Sequence, residues 1–372
     1  MASRPPDPTR HARAGPSRRP ARLAPHRANP SAPRRPNSLR AVPPGLAPLP
    51  PEPLRAAPCI IPPVPVELTY CVVNTERREL LERCLDAVAR DRALAPFATE
   101  VLVLDNASRD GSADVARGHP TVDEVIVRDR RTAKSLNDSE LLRRAGGRYG
   151  LLLNEDSELL PGATAALRQA LGDRSRSAAA VARLVRPDGR VQPSAWRFPT
   201  VATALVGAFF LHRRFTVQSR GEEIRLVDWA QSAALLVRTE AAAQIDYLDP
   251  DFFVYGEEVD FCRRLADAGW STLYVPGATA IHHEQLSTGT VPERRIVEFS
   301  RNRELYLRKH ERPVTVAAVR LLTAYTYALR AIAALALPGH DPRRYWRHVT
   351  ATLHPTRGEG IREAAERLDS GA

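Results

Sequence analysis

Residues 68–89 read LTYCVVNTERRELLERCLDAVA, and residues 101–106 read VLVLDN. The short apolar run from Leu68 to Val73 predicts a buried strand. From Glu79 to Ala89 the apolar residues recur at three- and four-residue intervals, which predicts a helix. The run Val101–Leu104 predicts a second buried strand. Strands and helices that alternate, with continuous hydrophobicity in the strands, are typical of a parallel α/β sheet.

The alternation continues downstream. It predicts a turn and helix start at 110–112, a strand at 125–127, a helix at 135–145, a strand at 149–153 and a helix start at 161–162. Polar residues follow three of the predicted strands, namely Asn74, Asp105 and Asp156. Since open α/β sheets bind ligands beyond the carboxyl ends of their strands, this pattern predicts a nucleotide-type pocket.

Two common phosphate-binding motifs are absent from the sequence. No GxGxxG follows the first strand, and no GxxxxGK[ST] occurs anywhere. The chain therefore lacks the glycines of dinucleotide-binding and P-loop proteins. A diphosphate would need a metal held by carboxylates, or arginine side chains.

The positive charge of the 372-residue chain is unevenly distributed. The formal net charge is +11, but residues 1–65 hold eleven arginines, two acidic residues and 19 of the 32 prolines. We expect this segment to be a disordered tail, without the apolar core of a secretory signal. The rest of the chain is nearly neutral, which argues against a nucleic-acid partner. Four cysteines without CxxC spacing indicate reduced thiols and a cytoplasmic protein.

Four blocks carry a more specific signal. They are CVVNTERRELLERCL (71–85), VLVLDNASRDGS (101–112), LLLNEDSELLPGA (151–163) and DPDFFVYGEEVDFCRRLADAGWSTLYVPGATAIHH (249–283). In this order and at these separations they resemble the family 2 glycosyltransferases with the GT-A fold, over roughly residues 66–310. The branch looks like the bacterial rhamnosyltransferase-like enzymes of cell-wall and polysaccharide assembly. The resemblance implies a nucleotide-diphospho-sugar transferase fold, a Rossmann-like, mostly parallel sheet flanked by helices.

The resemblance also implies the site residues. Asn154-Glu155-Asp156 occupies the place of the family's DxD metal motif, with Asp156 as the matching carboxylate, and His282 matches a metal-binding histidine. The metal would be Mg²⁺ or Mn²⁺. The residues that would bind the donor are Asn74, Thr75, Asp105, Asn106, Ser108, Asn137, Asn154, Glu155 and Asp260.

Glu258, in GEEVD, stands where the family has its catalytic base, usually an aspartate. A base is needed because the acceptor hydroxyl must lose its proton as it attacks, and direct displacement with one base inverts the anomeric centre. Where the family often has two glycines, the chain has Asp246 and Tyr247, so we expect that turn to differ. The basic cluster formed by Arg130, Arg131 and Lys134 fits either a solvated loop or a contact with the donor diphosphate.

The carboxyl-terminal region is predicted to be helical. Residues 314–337 are apolar but contain Arg320 and Arg330, so the longest uncharged stretch is too short to span a membrane. Polar and apolar residues fall on opposite faces of the predicted helix, and a cationic, aromatic cluster follows at 343–347. The pattern fits packing on the catalytic domain or a peripheral contact with a membrane. We expect three segments: the tail (1–65), a catalytic domain (66–290) and a helical extension (291–372).

The sequence as a whole predicts an inverting, metal-assisted glycosyltransferase. It would move a sugar from a nucleoside-diphosphate donor to a saccharide or lipid-linked saccharide at the inner face of the cell membrane. A sugar nucleotidyltransferase is one alternative, but it needs a glycine- and lysine-rich first loop, which VVNTERRE lacks. A non-catalytic scaffold with the same fold is the other alternative.

Overall fold

The computed structural model describes residues 65–283 and 293–370, so nearly all of the predicted tail lies outside the described residues. The strands are β1 (Leu68–Asn74), β2 (Thr99–Asp105), β3 (Glu124–Val127), β4 (Tyr149–Asn154), β5 (Ser157–Leu159), β6 (Ser177–Val185), β7 (Val191–Gln192), β8 (Ala195–Trp196), β9 (Arg225–Val227), β10 (Trp229–Ala230), β11 (Ala234–Arg238) and β12 (Ser271–His282). The helices are α1 (Arg78–Arg92), α2 (Ser112–Gly118), α3 (Lys134–Arg144), α4 (Ala163–Gly172), α5 (Val201–Ala208), α6 (His212–Phe215), α7 (Thr239–Gln244), α8 (Glu257–Asp267), α9 (Glu293–His310), α10 (Pro313–Ala334), α11 (Pro342–Leu353) and α12 (Ile361–Ser370).

The main sheet has the strand order β3-β2-β1-β4-β11-β6-β12-β5. Strands β1 to β4 pair in parallel, and so do β6 and β12, whereas β11 runs antiparallel between β4 and β6. Parallel neighbours need crossover connections, which α1, α2 and α3 supply. The fold class predicted from the sequence, an α/β fold with a mostly parallel sheet flanked by helices, is confirmed.

The two faces of the sheet are both covered. Tyr70 and Val72 of β1 belong to a buried cluster with residues of α1 and α4. Cys71 and Val73, on the opposite face, belong to a second cluster with residues of α3, α7 and α8. Successive side chains of a strand point to opposite faces, so a continuous apolar strand needs helices on both sides.

Strand β12 is longer than the sequence suggests. The sequence predicts only a short strand over residues 279–281, just before His282, whereas the observed strand begins at Ser271 and ends at His282. The register with β6 shifts between Val275 and Thr279, where Pro276 and Gly277 lie. Proline cannot donate to a ladder and is tolerated at such irregularities, so the strand continues past it. The extension carries His282 to the end of the strand, beside β5.

The turn at Asp246 and Tyr247 has an uncommon backbone conformation. Both residues have positive φ angles, 56° and 57°, in the left-handed region that glycine favours. Two residues larger than glycine therefore adopt a conformation that usually costs them energy. Contacts hold it, since Arg264 donates to the Tyr247 carbonyl oxygen (2.6 Å) and the Arg143 guanidinium lies 4.5 Å from the centre of the Tyr247 ring.

Helix α10 packs against the domain with one face and leaves apolar side chains exposed on the other. Val316 and Val319 join a buried cluster with Tyr306 of α9, and Arg320 forms an ion pair with the mostly buried Glu304 of α9. Among the described helices, α10 alone has the length and composition of a membrane-spanning segment, a property that helices in soluble proteins can share. Here one face of the helix is engaged within the domain.

Candidate functional site

Asn74 and Asp105 lie side by side at the carboxyl ends of β1 and β2. The Asn74 Nδ2 donates to Asp105 Oδ1 (2.8 Å) and to the Ser108 hydroxyl (3.2 Å), and the Ser108 amide donates to Asp105 Oδ2 (2.9 Å). All three groups thus belong to one network, as their predicted shared role requires. Asn74 Oδ1 is buried and has no hydrogen-bond partner among the described residues, which leaves an acceptor available for a ligand.

A second network joins the predicted residues Asn106, Thr75 and Asn137. Asn106 Oδ1 accepts from the Thr132 amide (2.8 Å), its Nδ2 lies 3.4 Å from the Thr75 hydroxyl, and the Thr132 hydroxyl donates to Asn137 Oδ1 (2.7 Å). The Nδ2 of Asn137 is buried without a partner among the described residues. Thr132, which sequence reasoning missed, therefore connects the loop after β2 to helix α3.

Asp156 and His282 meet where β5 pairs with the end of β12. The Asp156 Oδ1 lies 3.2 Å from His282 Nε2, and the His283 amide donates to the Asp156 carbonyl oxygen (2.9 Å). Burial opposes ionisation of Asp156, but the imidazole of His282 outweighs it and lowers the pKa of this carboxyl. The side chain of His283 contacts Glu158 instead (2.6 Å), so only His282 faces Asp156.

These two residues fit one divalent cation. Asp156 Oδ1 is buried and accepts no hydrogen bond of good geometry. Two ligands bonded to one ion at about 2.1 Å lie about 3 Å apart, close to the observed separation. The described residues contain no group of three or more histidine, cysteine, aspartate or glutamate side chains suited to a metal. Further ligands would then come from phosphate oxygens and water, as is common for Mg²⁺.

Gln192, at the end of β7, orients the His282 ring. Its amide nitrogen lies 3.0 Å from His282 Nδ1, and its amide oxygen lies 3.3 Å from the same atom. Metal-binding histidines usually have such a partner on the other ring nitrogen, because it fixes the tautomer. Ninety residues separate Gln192 from His282, so no local sequence signal pointed to this pair.

Glu155 and Asn154 complete the NED triplet. Burial and the neighbouring charge of Asp156 raise the pKa of Glu155 to about 8, although Lys134 and Arg77 act in the opposite direction. Asn154 is half-buried, and its backbone pairs with Ala233 and accepts a contact from the Cys84 thiol. Asp156 is therefore the carboxylate of the triplet whose ionised form the surroundings favour.

Glu258 is held at the first turn of α8. Its Oε1 accepts from the hydroxyl (3.0 Å) and the amide (3.3 Å) of Ser232, and no described residue donates to its other oxygen. The turn before α8 has positive φ at Tyr255 (68°) and at Gly256 (97°), where a Cβ would meet the Phe252 ring at 3.2 Å. Glycine at 256 therefore allows the close turn that presents Glu258.

Lys134 links Glu258 to the donor side. Its ammonium donates to Asp138 (2.6 Å) and to the Ser232 hydroxyl (2.9 Å). Burial alone would lower the pKa of Lys134, but Asp138, Glu257 and Glu258 together raise it, so it stays charged. Of the predicted basic cluster, this is the member that the structure brings to the site, and its partner Ser232 was not predicted.

Glu257 and Asp260 differ from Glu258 in their surroundings. Glu257 is buried, its Oε2 has no partner among the described residues, and burial with the neighbouring Glu258 charge raises its pKa well above the usual value. Asp260 is buried and binds Arg264 (2.7 Å), Lys309 (2.7 Å) and His310 (2.8 Å). The predicted donor contact of Asp260 does not fit this geometry, because its carboxylate fastens α8 to α9 instead.

Helix α12 closes the edge of the pocket near Arg131. Arg131 forms an ion pair with Glu76 (2.5 Å), and its amide donates to Asp369 of α12 (2.9 Å). The Arg109 guanidinium donates to the Leu368 carbonyl oxygen (3.0 Å). The loops after β1, β2 and β3 are thus joined through the last described helix, a feature without any sequence signal.

Comparisons with known proteins identify the family of the chain. Residues 65–321 match the model of the family described as glycosyltransferase like family 2. The chain is 32% identical over 227 residues to the N-acetylglucosaminyl-diphospho-decaprenol L-rhamnosyltransferase of Mycobacterium tuberculosis, covering 56% of this chain and 74% of that protein. It is 38% identical over 58 residues to the rhamnosyltransferase WbbL of Escherichia coli, covering 16% and 22% of the two chains.

Among solved structures, a mannosyltransferase from Pyrobaculum calidifontis in complex with GDP-Man and Mn²⁺ aligns with a TM-score of 0.49 and 16% identity, over 79% of this chain and 89% of that one. The family match extends over more than half of the chain, and the resemblance seen in the four sequence blocks is confirmed. The chain belongs to glycosyltransferase family 2 and is a rhamnosyltransferase-like glycosyltransferase.

Proposed function

We propose that the protein is an inverting glycosyltransferase that moves a hexose or deoxyhexose from a nucleoside diphosphate to a lipid-linked saccharide. The observation that carries the proposal is the pairing of Asp156 with His282, whose Oδ1 and Nε2 atoms lie 3.2 Å apart and suit a divalent cation beside a leaving diphosphate. The name of the mycobacterial relative, an L-rhamnosyltransferase for a diphospho-decaprenol saccharide, supports the deoxyhexose and the lipid-linked acceptor.

In the proposed reaction Glu258 is the general base. Ser232 binds one oxygen of the carboxylate, and the other oxygen accepts the proton of the acceptor hydroxyl as that hydroxyl attacks the anomeric carbon. The new glycosidic bond forms as the bond from the anomeric carbon to the diphosphate oxygen breaks, so the configuration inverts. Lys134 keeps a positive charge beside the carboxylates.

Asp156 and His282 would hold the divalent cation, and Gln192 would orient the His282 ring. With Mg²⁺ or Mn²⁺ held by these residues, the site would supply a Lewis acid for the charge that develops on the leaving diphosphate. Asn74, Asp105 and Ser108 would bind the nucleoside, since their network offers donors and acceptors at the carboxyl edge of the sheet.

The proposal includes the organisation and place of the chain. Residues 66–290 would form the catalytic unit and residues 291–372 the helical extension, because the last strand of the sheet ends at His282. A lipid-linked acceptor would place the enzyme at the cytoplasmic face of the membrane, as a peripheral protein.

The test has a binding arm and a turnover arm. Purified protein is screened by thermal shift against UDP-, dTDP- and GDP-sugars with and without Mn²⁺, and Asp156→Ala is screened in parallel. Stabilisation by one nucleotide family that requires the metal and is lost in the variant is the expected result. If none of the sugar nucleotides stabilises the protein, the transferase proposal is refuted.

The turnover arm compares two adjacent glutamates. Glu258→Gln should retain donor binding and lose turnover by at least about 100-fold, the usual contribution of a positioned base. Glu257→Gln is the matched control, because Glu257 is the adjacent glutamate of the same helix turn, and it is buried with no partner for its Oε2 among the described residues. Equal turnover in Glu258→Gln and an active wild type would refute the role of Glu258 as the base, whereas no turnover in the wild type would favour the scaffold alternative.

A further inference from the structure

The turn after α5 and the short helix α6 present large apolar side chains to solvent. Phe209 is 71% exposed, and Phe210, Leu211 and Phe215 are each about half exposed. Soluble monomers rarely leave such contiguous apolar side chains without a partner. Phe210 also has a φ of 61°, which a bulky residue seldom adopts. The exposed form of this turn is therefore imposed by its surroundings.

The outer face of α10 shows the same property. Leu321, Tyr325, Ile332 and Leu335 are exposed, Leu335 to 77%, and they recur at spacings of four, seven and three residues. Residues with these spacings share one helix face. The opposite face is engaged by the Arg320–Glu304 ion pair and the buried valines described above. The outward face has no partner among the described residues.

These two regions are neighbours in the fold. Helix α5 packs against α10, and the Arg330 guanidinium of α10 lies 5.7 Å from the centre of the Phe210 ring and 5.6 Å from that of Tyr327. We group the exposed apolar side chains of both regions under the name α5/α10 surface: Leu205, Phe209, Phe210, Leu211, Phe215, Leu321, Tyr325, Ile332 and Leu335.

The charge around the α5/α10 surface is strongly positive. Residues 312–358 contain seven arginines and one acidic residue, and residues 201–221 contain three arginines and no acidic residue. Within the described part of the chain, no carboxylate forms an ion pair with Arg213, Arg214, Arg343 or Arg344. Apolar side chains bordered by arginines complement a bilayer surface that carries anionic headgroups.

We propose that the α5/α10 surface is the site at which the protein docks on an anionic lipid bilayer, with α10 lying along the membrane surface. The inference deepens the proposed function, since it rests on a lipid-linked acceptor. A second copy of the chain fits this surface less well, because two cationic borders would face each other. A spanning α10 is inconsistent with the packing of α5, α9 and α11 against it.

Paired strands connect this surface to the residue that holds Glu258. Strand β8 pairs with β10, where the Trp196 and Trp229 rings stack with centroids 4.6 Å apart. Helix α5 follows β8 in the chain, and Ser232, which holds Glu258, follows β10. A docked enzyme could thus receive the saccharide of an acceptor whose lipid stays in the bilayer.

The test is co-sedimentation of the full chain with vesicles of phosphatidylcholine, alone or mixed with phosphatidylglycerol. The wild type should sediment with the anionic vesicles, and less so in high salt. Phe209→Ser with Leu335→Ser should lower the partition coefficient at least about tenfold, since both side chains lose apolar area for burial in lipid. Leu94→Ser, at a residue 61% exposed between α1 and β2, is the matched control and should bind like the wild type.

A second variant, Arg213→Gln with Arg214→Gln, tests the charge without touching the apolar side chains and should weaken only the binding to anionic vesicles. Because all variants retain residues 1–64, any binding by that arginine-rich segment is the same in each. Unchanged vesicle binding in both variants, or no binding by the wild type, overturns the proposal. A wild-type dimer that the serine variants dissociate, without vesicle binding, assigns the surface to a second copy instead.

The thermal shift with sugar nucleotides separates this inference from the proposed function. Loss of vesicle binding with an intact donor response concerns the surface alone. Vesicle binding without any donor response refutes the transferase proposal and leaves the surface assignment standing.

Discussion

Replacing Lys134 by methionine should make the stability of the protein depend on pH in a calculable way. The Lys134 ammonium lies 2.6 Å from the carboxylate of Asp138, which is only 2% exposed. At an effective dielectric constant of about 20, two charges at this distance attract by about 6 kcal/mol. Without the lysine, the folded protein reduces the cost of the unpaired charge by protonating Asp138, whose pKa burial already raises.

Protonation of Asp138 sets an upper limit to the free energy of unfolding that Lys134→Met loses. A carboxyl that is neutral when folded and ionised when unfolded costs about 1.4 kcal/mol for each pH unit above its unfolded pKa of about 3.9. The loss of stability in Lys134→Met should therefore reach about 4 kcal/mol at about pH 7 and about 1.5 kcal/mol at about pH 5. The folded variant binds more protons than the unfolded chain, so its stability falls as the pH rises.

Urea unfolding followed by circular dichroism over this pH range measures the effect. The double variant Lys134→Met with Asp138→Asn removes the ionisable carboxyl of residue 138. It should recover most of the stability lost at neutral pH, and its stability should no longer fall with rising pH. Parallel pH profiles for the wild type and Lys134→Met, or a double variant less stable than the single one, would refute the reasoning.

Three further outcomes follow from the geometry. Gln192→Leu should weaken Mn²⁺ binding by about 10- to 100-fold in calorimetric titrations; an unchanged affinity would show that the histidine ring is oriented by other contacts. Asp260→Asn should lower the free energy of unfolding by about 3 kcal/mol at neutral pH. The partners of Asp260 lower its pKa against the effect of burial. The difference in stability between the wild type and Asp260→Asn should therefore persist above about pH 4 and close in stronger acid. A difference that stays constant in acid would contradict this prediction. Gly147→Ala should lower stability by about 1–3 kcal/mol, since a Cβ there would lie 2.9 Å from the Leu68 Cα. Gly118 has open space around it, so Gly118→Ala should be close to neutral in the same denaturation assay.

The order of strands and helices could be predicted because it depends on local hydrophobic patterns. The strand ends that carry Asn74, Asp105 and Asp156 follow from continuous apolar runs, and the family resemblance of the four blocks is confirmed. The continuation of β12 through Pro276 could not be predicted, since the neighbouring strand β6 sustains it.

The supporting residues of the candidate site were beyond the reach of local patterns. Lys134 contacts Ser232 across 98 positions, and Gln192 contacts His282 across 90. Such contacts depend on the strand order of the folded sheet, which periodicity does not specify. The orientation of α10 was missed for a similar reason: an amphipathic pattern identifies two faces, and only tertiary packing decides which one turns inward.

The attachment of α12 to the pocket loops has a consequence for the order of synthesis. Asp369 contacts Arg131 across 238 positions, so the ribosome makes the sheet long before it makes the helix that joins the loops above it. The nascent chain therefore has an incomplete pocket edge until α12 emerges and folds back. A shortened chain that stops at residue 321, the end of the family match, would keep this unfinished edge permanently.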